Sequence, residues 1–158
     1  MKFTYPKHEK LKSKKIIDTL FSEGQSVSKY PLRLVYVPIS KENYIFLKNI
    51  NPELDHIQMG VSVSKKYFKK AVDRNYFKRV LRECYRIHKS ILIEKLDQPH
   101  AFMFFYQTKD RISYQEIEEK TIQLFEKFQT KNKITKQAKL YLNKQTNSKA
   151  LNLLCSEK

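Results

Sequence analysis

The segment from Asp73 to Lys89 constrains the fold more than any other part of the chain. Because an α-helix turns about 100° per residue, its side chains can be sorted around the helix axis. One side is apolar, and its members are Tyr76, Phe77, Val80, Cys84, Ile87 and Ile91. The almost opposite side is basic, and its members are Arg74, Asn75, Lys78, Arg79, Arg82 and Arg86. The apolar side has to pack on a core, so the segment predicts a helix that presents a rigid row of cations outward.

This basic side carries little compensating acid, because only Asp73 and Glu83 lie near its margins. A face that serves only solubility usually mixes both signs of charge and contains Glu to Lys pairs four residues apart. Upstream, Lys65, Lys66 and Lys70 add cations where the amino terminus of a helix already favours phosphate. A merely solvated face is the competing interpretation, but this context favours anion binding.

The whole chain repeats this imbalance, since 32 Lys and Arg stand against 16 Asp and Glu, giving a net charge of +16. Self-repulsion on that scale destabilises a compact state unless polyanions are nearby, which makes nucleic acid the first candidate partner. An anionic membrane is the second, but a helix that lies on a membrane needs a large apolar face. Arginine can hold two phosphate oxygens at once, and Asn75 can bond a sugar hydroxyl or a base edge. This mixture favours RNA over lipid headgroups.

Size and cysteine content favour a single cytoplasmic domain. At 158 residues the chain is long enough for one core and short for two, so we expect one domain with ragged ends. Cys84 and Cys155 are far apart and form no CxxC motif, which argues against a disulfide framework or a zinc site and fits a reducing cytoplasm. The segment from Met1 to Lys15 is polar and lysine-rich, so we expect neither a signal peptide nor a membrane span.

Two further helices are predicted from spacing and capping residues. Apolar residues recur at helical intervals from Ser13 to Phe21, with Ser13 as a possible N-cap and Gly24 as a stop. Ser113 begins a last helix, with Glu116 at the capping-box position. Its apolar residues are Ile117, Ile122, Leu124, Phe125 and Phe128.

Three strands are predicted from period-two alternation or a continuous apolar run. The first lies between Pro31 and Pro38, the second runs from Ile57 to Val63, and the third, from Ala101 to Tyr106, is expected to be central and buried on both faces. The predicted order α-β-β-α-β-α gives a mixed α+β fold with helices packed on a small sheet.

Two segments resist assignment. Residues 41–56 combine an apolar patch with turn-rich sequence, and we expect a loop that contains some strand at most. Beyond Lys131 the chain becomes rich in Lys, Gln and Asn, so residues 1–131 are predicted to be the domain and 132–158 a basic tail that is flexible or weakly helical, with helix favoured near 140–142 and 150–154.

An extended block resembles the protein component of bacterial ribonuclease P. The block reads Gly60-Val61-Ser62-Val63-Ser64-Lys65-Lys66, followed by Lys70-Ala71-Val72-Asp73-Arg74-Asn75-Tyr76-Phe77-Lys78-Arg79-Val80-Leu81-Arg82-Glu83. The family signature is an Arg-Asn-Arg helix after a strand that ends in a Ser-Val-Ser-Lys-Lys-like run. Lys10-Leu11-Lys12 and the helix before Gly24 extend the resemblance over residues 7–128. Tyr76 replaces the second arginine of the signature, and by spacing it lies toward the apolar side, where its ring can pack while its hydroxyl reaches solvent or RNA.

The resemblance implies a left-handed strand-helix-strand crossover, in a fold of the ribosomal protein S5 domain 2-like type. It also implies two RNA contacts. The first is the signature helix with its approach, which would bind the catalytic RNA through Lys65, Lys66, Lys70, Arg74, Asn75, Lys78, Arg79, Arg82 and Arg86. The second is a cleft between the first helix and the sheet, which would hold the single-stranded 5′ leader of precursor tRNA through Ile17, Phe21, Arg33 and Val35, with Lys65 as a further candidate. Ile17 and Phe21 have the spacing of any buried stripe, so a core role is the alternative for both.

No catalytic or metal-ligating residue is predicted in the chain itself. His8, His56, His88 and His100 are scattered, and the sequence contains no HxxxH motif and no acidic metal cluster. The resemblance implies an endoribonuclease whose RNA subunit holds most of the Mg²⁺ and cleaves with a metal-activated water, leaving a 5′ phosphate on the mature tRNA. The implied partners are the catalytic RNA and precursor tRNA, with no membrane and no obligate protein partner.

Two other functions compete with this interpretation. A ribosome-associated or chaperone-like RNA-binding module would share the basic helix but would not stimulate cleavage of a tRNA precursor. A stand-alone ribonuclease would cleave RNA without a partner RNA, and the lack of paired catalytic residues argues against it.

Overall fold

The computed structural model describes residues 4–50, 52, 56–94 and 96–155, with the backbone alone at 136, 139 and 144–155. The last three residues of the predicted tail lie outside this part. After a short 3₁₀ turn at Lys7–Glu9, the described part of the chain forms four helices and four strands. They are α1 Lys14–Glu23, β1 Gln25–Lys29, β2 Leu32–Pro38, α2 Lys41–Ile50, β3 Ile57–Val63, α3 Ala71–Ile93, β4 His100–Tyr106 and α4 Tyr114–Cys155.

The four strands form one mixed sheet in the order β1-β2-β4-β3. β1 pairs with β2 and β2 with β4 in antiparallel fashion, whereas β3 and β4 are parallel and are connected through α3. A small mixed sheet with packed helices confirms the predicted α+β class, and β4 is an interior strand as expected. The hand of the β3-α3-β4 connection stays a prediction.

Both faces of the sheet are covered, but unequally. The larger core joins one face to α3 and α4, and it contains Leu34 and Phe104 from the sheet. The smaller core lies on the other face, where Ile16 and Leu20 of α1 cover Val35. Burial on two sides explains why β2 and β4 are so apolar, since only one face of each strand would otherwise need apolar side chains.

The residues predicted to bound the helices do so in different ways. The amide of Glu116 donates to Ser113 Oγ over 3.2 Å, which confirms Ser113 as a cap. Ser13 precedes α1, but its side chain makes no capping hydrogen bond. Gly24 ends α1 by donating its backbone N–H to Leu20 O over 3.1 Å. A Cβ at position 24 would lie 2.0 Å from that oxygen, so the close approach requires glycine.

Three elements differ from the sequence-based expectation. Residues 41–56 contain helix α2, where a loop with some strand was expected; the amide of Asn43 donates to Ser40 Oγ over 3.3 Å at its start. Strand β1 was not predicted, because only Val27 of its five residues is buried. Helix α4 continues past Lys131 to Cys155 without a break. The division into a domain and a tail stays a prediction.

Both edges of the sheet are covered by other parts of the chain. Beside β3, Lys10 forms a parallel bridge with Met59, and the Leu11 amide donates to Met59 O over 3.0 Å. Beside β1, Lys127 and Lys131 of α4 donate to the carbonyl oxygens of Ser28 and Ser26 over 3.0 and 3.1 Å. Part of each edge, at Met59 of β3 and at Ser26 and Ser28 of β1, is therefore occupied by the chain itself.

A buried ion pair fixes the amino-terminal segment against α3. The ammonium of Lys89 pairs with the carboxylate of Glu9, and both side chains are almost fully buried. Tyr85 also donates to Glu9 over 3.0 Å, and Lys89 donates to Thr4 O over 2.8 Å. Because each buried charge is paired with the opposite one, the pair holds the segment that carries Lys10 and Lys12 in a defined position.

Candidate RNA-binding surface

Helix α3 presents one side to the core and the other to solvent. Phe77, Leu81 and Cys84 are at most 1% exposed, because they pack against the sheet and α4. Arg79 and Arg82 project from the opposite side and are exposed. Among the described residues, neither arginine has a carboxylate within ion-pair distance. The predicted outward orientation of the cations is thus confirmed for this part of the helix.

Arg74 and Arg86 have partners within the protein. The Arg74 guanidinium donates to the carbonyl oxygens of Phe68 and Lys69 over 2.9 and 2.6 Å, so it fixes the turn before α3. Arg86 pairs with Glu83 over 2.6 Å, an interaction that lowers the pKa of Glu83 and raises the pKa of Arg86. The uncompensated charge is therefore concentrated on Lys78, Arg79 and Arg82.

The approach to α3 adds three exposed lysines, Lys65, Lys66 and Lys70. Ser64 shapes this turn, because its carbonyl accepts the amides of Tyr67 and Phe68 and its hydroxyl accepts the amide of Lys66. Phe68 is buried and stacks on Phe77 with a centroid separation of 4.6 Å. The stack holds the turn against the helix, and Asn75 is exposed in the first turns of α3.

The amino-terminal segment contributes two cations that sequence reasoning did not assign to the site. Lys10, Lys12 and Arg82 line one groove of about 450 Å³, whose other walls include Gly60 and Val61 of β3. The signal was the Lys10-Leu11-Lys12 triplet, but its closeness to Arg82 depends on the bridge to Met59. A spacing argument does not reveal a bridge between segments this far apart in sequence.

The predicted cleft lies at the end of α1. Phe21 is 60% exposed, and its ring meets that of Phe105 edge-to-face at 6.2 Å. Arg33 is exposed, lies beside Phe105 in the strand register and donates to Ser26 Oγ over 3.3 Å. Ile17 is half-buried on the same helix as Phe21. The structure thus brings Phe21 and Arg33 together around Phe105, which sequence reasoning had placed in a fully buried strand.

Val35 does not fit the cleft as predicted. It is only 8% exposed, because α1 covers it through Ile16 and Leu20. Arg33 points to the same face of β2 two residues earlier but is exposed and is not part of the smaller core. Val35 is therefore a packing residue, and the accessible wall is formed by Arg33 and the half-buried Phe105.

Comparison with known proteins places the chain in a family. A family model described as Ribonuclease P matches residues 5–129. The ribonuclease P protein component of Porphyromonas gingivalis W83 is 36% identical over 112 residues, which cover 70% of this chain and 74% of that protein. The chain belongs to the ribonuclease P protein family.

Solved structures from the ribonuclease P family have the same fold. The RNase P protein from Thermotoga maritima aligns with a TM-score of 0.56 at 20% identity, over 75% of this chain and 96% of that one. The Staphylococcus aureus RNase P protein aligns with a TM-score of 0.54 at 22% identity, over 73% and 91%. As a ribonuclease P protein subunit, the chain takes part in tRNA processing. Residues beyond 129 fall outside the family match.

Tyr76 stands where the ribonuclease P signature has its second arginine. In the structure its side chain is 53% exposed while its ring meets that of the buried Phe77 edge-to-face at 5.1 Å, so the ring packs at the margin of the apolar side and the rest of the side chain reaches the surface. Tyr76 is therefore part of the outer surface of α3, where a ring and a hydroxyl are available in place of a guanidinium.

The described residues contain no group of three or more His, Cys, Asp or Glu side chains placed to hold a metal ion. None of the described helices combines the length and apolar character that a membrane crossing requires.

Burial raises the pKa of the Cys84 thiol to about 11, and His88 joins α3 to Glu118 of α4 over 2.8 Å. Both side chains thus have structural roles between two helices.

Proposed function

We propose that the exposed basic side of α3 binds the catalytic RNA of ribonuclease P, and that the cleft at Phe21 and Phe105 holds the 5′ leader of precursor tRNA. The observation that carries this proposal is the outward row of uncompensated cations on a helix whose opposite side is buried. A rigid helix positions its cations before RNA arrives, so little side-chain and backbone order has to be gained on binding.

The composition of this surface suits a ribose-phosphate backbone. Arg79 and Arg82 can each engage phosphate oxygens through a planar fork, and Asn75 can bond a sugar hydroxyl. The lysines of the approach lie at the amino terminus of α3, where the helix dipole also favours a negative charge. Arginine forks, an amide and a helix terminus together match folded RNA.

The cleft has the features of a site for a single strand. Phe21 and Phe105 offer aromatic surface on which an unpaired base can stack, and Arg33 supplies a cation beside them. Stacking depends little on base identity, because every base has a flat face. The cleft should therefore accept leaders of differing sequence.

The reaction itself is assigned to the RNA. The protein's side chains are given no catalytic step, and the Mg²⁺ is assigned mainly to the RNA subunit. The protein's contribution is to reduce repulsion between two polyanions and to hold the leader. Its cations share this task with Mg²⁺, so the need for protein should decrease as Mg²⁺ increases.

Reconstitution tests the proposal. The protein, the catalytic RNA and a tRNA precursor are combined with each omitted in turn, at low and high Mg²⁺, and the 5′ end of the product is mapped. We expect cleavage only with the catalytic RNA present, and strong stimulation by protein at low Mg²⁺ only. Equal dependence on protein at both concentrations, or cleavage without the RNA, would contradict the proposal.

A further inference from the structure

A row of accessible side chains crosses the sheet beside the cleft. The strand registers place Ser62, Phe105, Arg33 and Ser28 next to one another, from β3 across β4 and β2 to β1. Arg33 and Ser28 are exposed, whereas Ser62 and Phe105 are half-buried. We call these four residues the track; it passes the Phe21 and Phe105 pair and ends at Ser28 on the outer strand β1.

Helix α4 stands where the track ends. Lys127 contacts the backbone of Ser28, the last residue of the track, and Lys131 contacts Ser26 one step along the same strand. Both lysines are exposed although their ammonium groups contact β1. Because α4 packs on the opposite face of the sheet, a nucleic acid strand that follows the track meets cations of α4 at the outer edge of β1 and passes around that edge to continue along the helix.

Beyond this point α4 leaves the core. Gln129 is the last described buried residue of the helix, and its amide donates to Ile91 O and Leu92 O over 2.5 and 3.0 Å. Further along, Ile134 and Tyr141 are 62% and 64% exposed. We call residues 133–155 the arm, and at 1.5 Å per residue it extends roughly 35 Å.

The arm is cationic without compensation. The lysines of the arm are Lys133, Lys136, Lys139, Lys144 and Lys149, and the sequence contains no Asp or Glu between Glu126 and Glu157. A helix that is merely solvated normally carries both signs and forms pairs four residues apart. Tyr141 adds an exposed ring on which a base can stack. Cations that follow a backbone together with an aromatic ring are the features of single-strand binding.

Other partners fit the arm less well. Leu140, Tyr141 and Leu142 are all exposed, but at 100° per residue they spread over about 200° of the helix and cannot share one membrane-facing side. Pairing with a second copy would bring two segments of like charge together, which is repulsive. The side of α3 that contacts α4 through His88 and Cys84 is opposite Arg79 and Arg82, so RNA bound to the basic side faces away from the arm.

We propose that the arm binds the upstream part of the 5′ leader, after the strand has crossed the track from Phe105 to Ser28. This inference rests on the proposed function, in which the cleft holds the leader nucleotides next to the cleavage site. The protein then contacts more of the leader than the cleft alone contains, so its affinity for a precursor increases with leader length.

The test compares two leader lengths in the reconstituted holoenzyme with the full chain. The precursors carry leaders of about 4 and about 16 nucleotides, the range over which single-strand sites extend. The variant Lys133→Gln, Lys136→Gln, Lys139→Gln removes three charges while keeping good helix formers. For the long leader we expect roughly tenfold weaker binding and a salt slope smaller by about two, since each single-strand phosphate contact contributes about 0.7. For the short leader we expect a change of less than about twofold.

A matched variant, Gln115→Ala with Gln123→Ala, changes exposed positions of the same helix outside the arm without changing its charge, and it should bind both precursors like the unaltered protein. Circular dichroism checks that all variants keep their helix. Equal weakening for both leaders and for mature tRNA would place the arm on the tRNA body and overturn the inference. Weakened assembly with the catalytic RNA, or no change at all, would overturn it as well.

Phe21→Ala separates this inference from the function on which it rests. If Phe21→Ala weakens the binding of both precursors while the lysine variant binds both like the unaltered protein, the cleft binds the leader and only the arm inference fails. If the unaltered holoenzyme shows no preference for a leader and Phe21→Ala has no effect, the cleft assignment itself fails. If the lysine variant loses only the tighter binding of the long-leader precursor, the result supports both the cleft assignment and the arm inference.

Discussion

Arg74 and Arg82 lie on the same helix, but the structure gives them different tasks. Arg82 is exposed and lines the groove with Lys10 and Lys12, whereas Arg74 is committed to the carbonyl oxygens of Phe68 and Lys69. Arg82→Ala should therefore weaken binding of the catalytic RNA, lower the salt slope by about one and leave the melting temperature unchanged. Arg74→Ala should also lower the free energy of unfolding by about 1 kcal/mol, because two charged hydrogen bonds are lost.

Filter binding at two salt concentrations, with thermal melts beside it, checks this difference between the two arginines. An Arg82→Ala protein with an unaltered salt slope would remove α3 as the RNA contact. An Arg74→Ala protein that melts like the unaltered one would mean that the turn before α3 does not depend on the guanidinium.

Lys89 and Glu9 form a buried pair whose partners depend on each other. Lys89→Met should lower the free energy of unfolding by about 3 kcal/mol, because it leaves the Glu9 carboxylate buried with Tyr85 as its remaining described partner. Replacing both, Lys89→Met with Glu9→Leu, should recover most of that loss, since a well-packed apolar pair avoids the burial of charge. Urea unfolding measures both; a double variant no more stable than the single one would show that the pair is not the source of the loss.

Residue-level prediction from the sequence succeeded where a helix alone sets the direction of a side chain. Arg79 and Arg82 are exposed and Phe77 is buried, as the 100° spacing required. Prediction failed where a second element determines whether a side chain is exposed: α1 covers Val35 but leaves Arg33 exposed. Helical spacing also does not show that the turn before α3 offers two carbonyl oxygens to Arg74.

At the scale of elements, α2 is the piece least integrated into the fold. None of its residues is fully buried, and it contacts the smaller core only through Tyr44 and Leu47. Leu47→Asp should therefore detach α2 while the melting temperature of the whole protein changes by less than about 4 °C, corresponding to less than about 1 kcal/mol. Hydrogen exchange of α2 amides beside a thermal melt measures both quantities.

Ile45→Asp is the matched control for this change, because Ile45 is 59% exposed on the same helix. It should leave the exchange of the α2 amides near that of the unaltered protein. Global unfolding of the Leu47→Asp protein would show that α2 is part of the cooperative core.

Element-level prediction depended on how much each segment buries. The strands β2, β3 and β4 and the helices α1 and α3 bury continuous apolar patterns, and their types were predicted correctly. Strand β1 buries only Val27, so its sequence carries little apolar signal even though its hairpin pairing with β2 is local, and its contacts with the lysines of α4 are long-range. For α2 the signal was present in Ser40 as a cap and in the i, i+3 spacing of Tyr44 and Leu47, but the following turn-rich sequence masked it.

The molecule as a whole should lose stability at alkaline pH. Burial raises the pKa of Tyr5 to about 12, from 10.0, and does the same for Tyr114. Between these values the unfolded chain releases protons that the folded chain retains, so unfolding becomes more favourable as pH rises. The stabilisation that comes from keeping the buried phenol protonated is complete below pH 10 and disappears as the pH passes 12.

Urea midpoints measured across this pH range test the expectation. Tyr5→Phe should show a shallower fall than the unaltered protein, which separates the phenol from the lysines that lose charge over the same range. An identical pH profile in the two proteins would mean that Tyr5 does not contribute.

The two covered margins of the sheet have a consequence for copies of this protein that are crowded together without RNA. An uncovered strand is a template onto which a neighbouring molecule can add its own, and repeated addition produces fibrils. Here the amino-terminal segment occupies one margin and the lysines of α4 occupy the other. Before a neighbouring molecule could add a strand at these positions it would have to displace contacts that the chain already makes with itself, which disfavours this kind of growth.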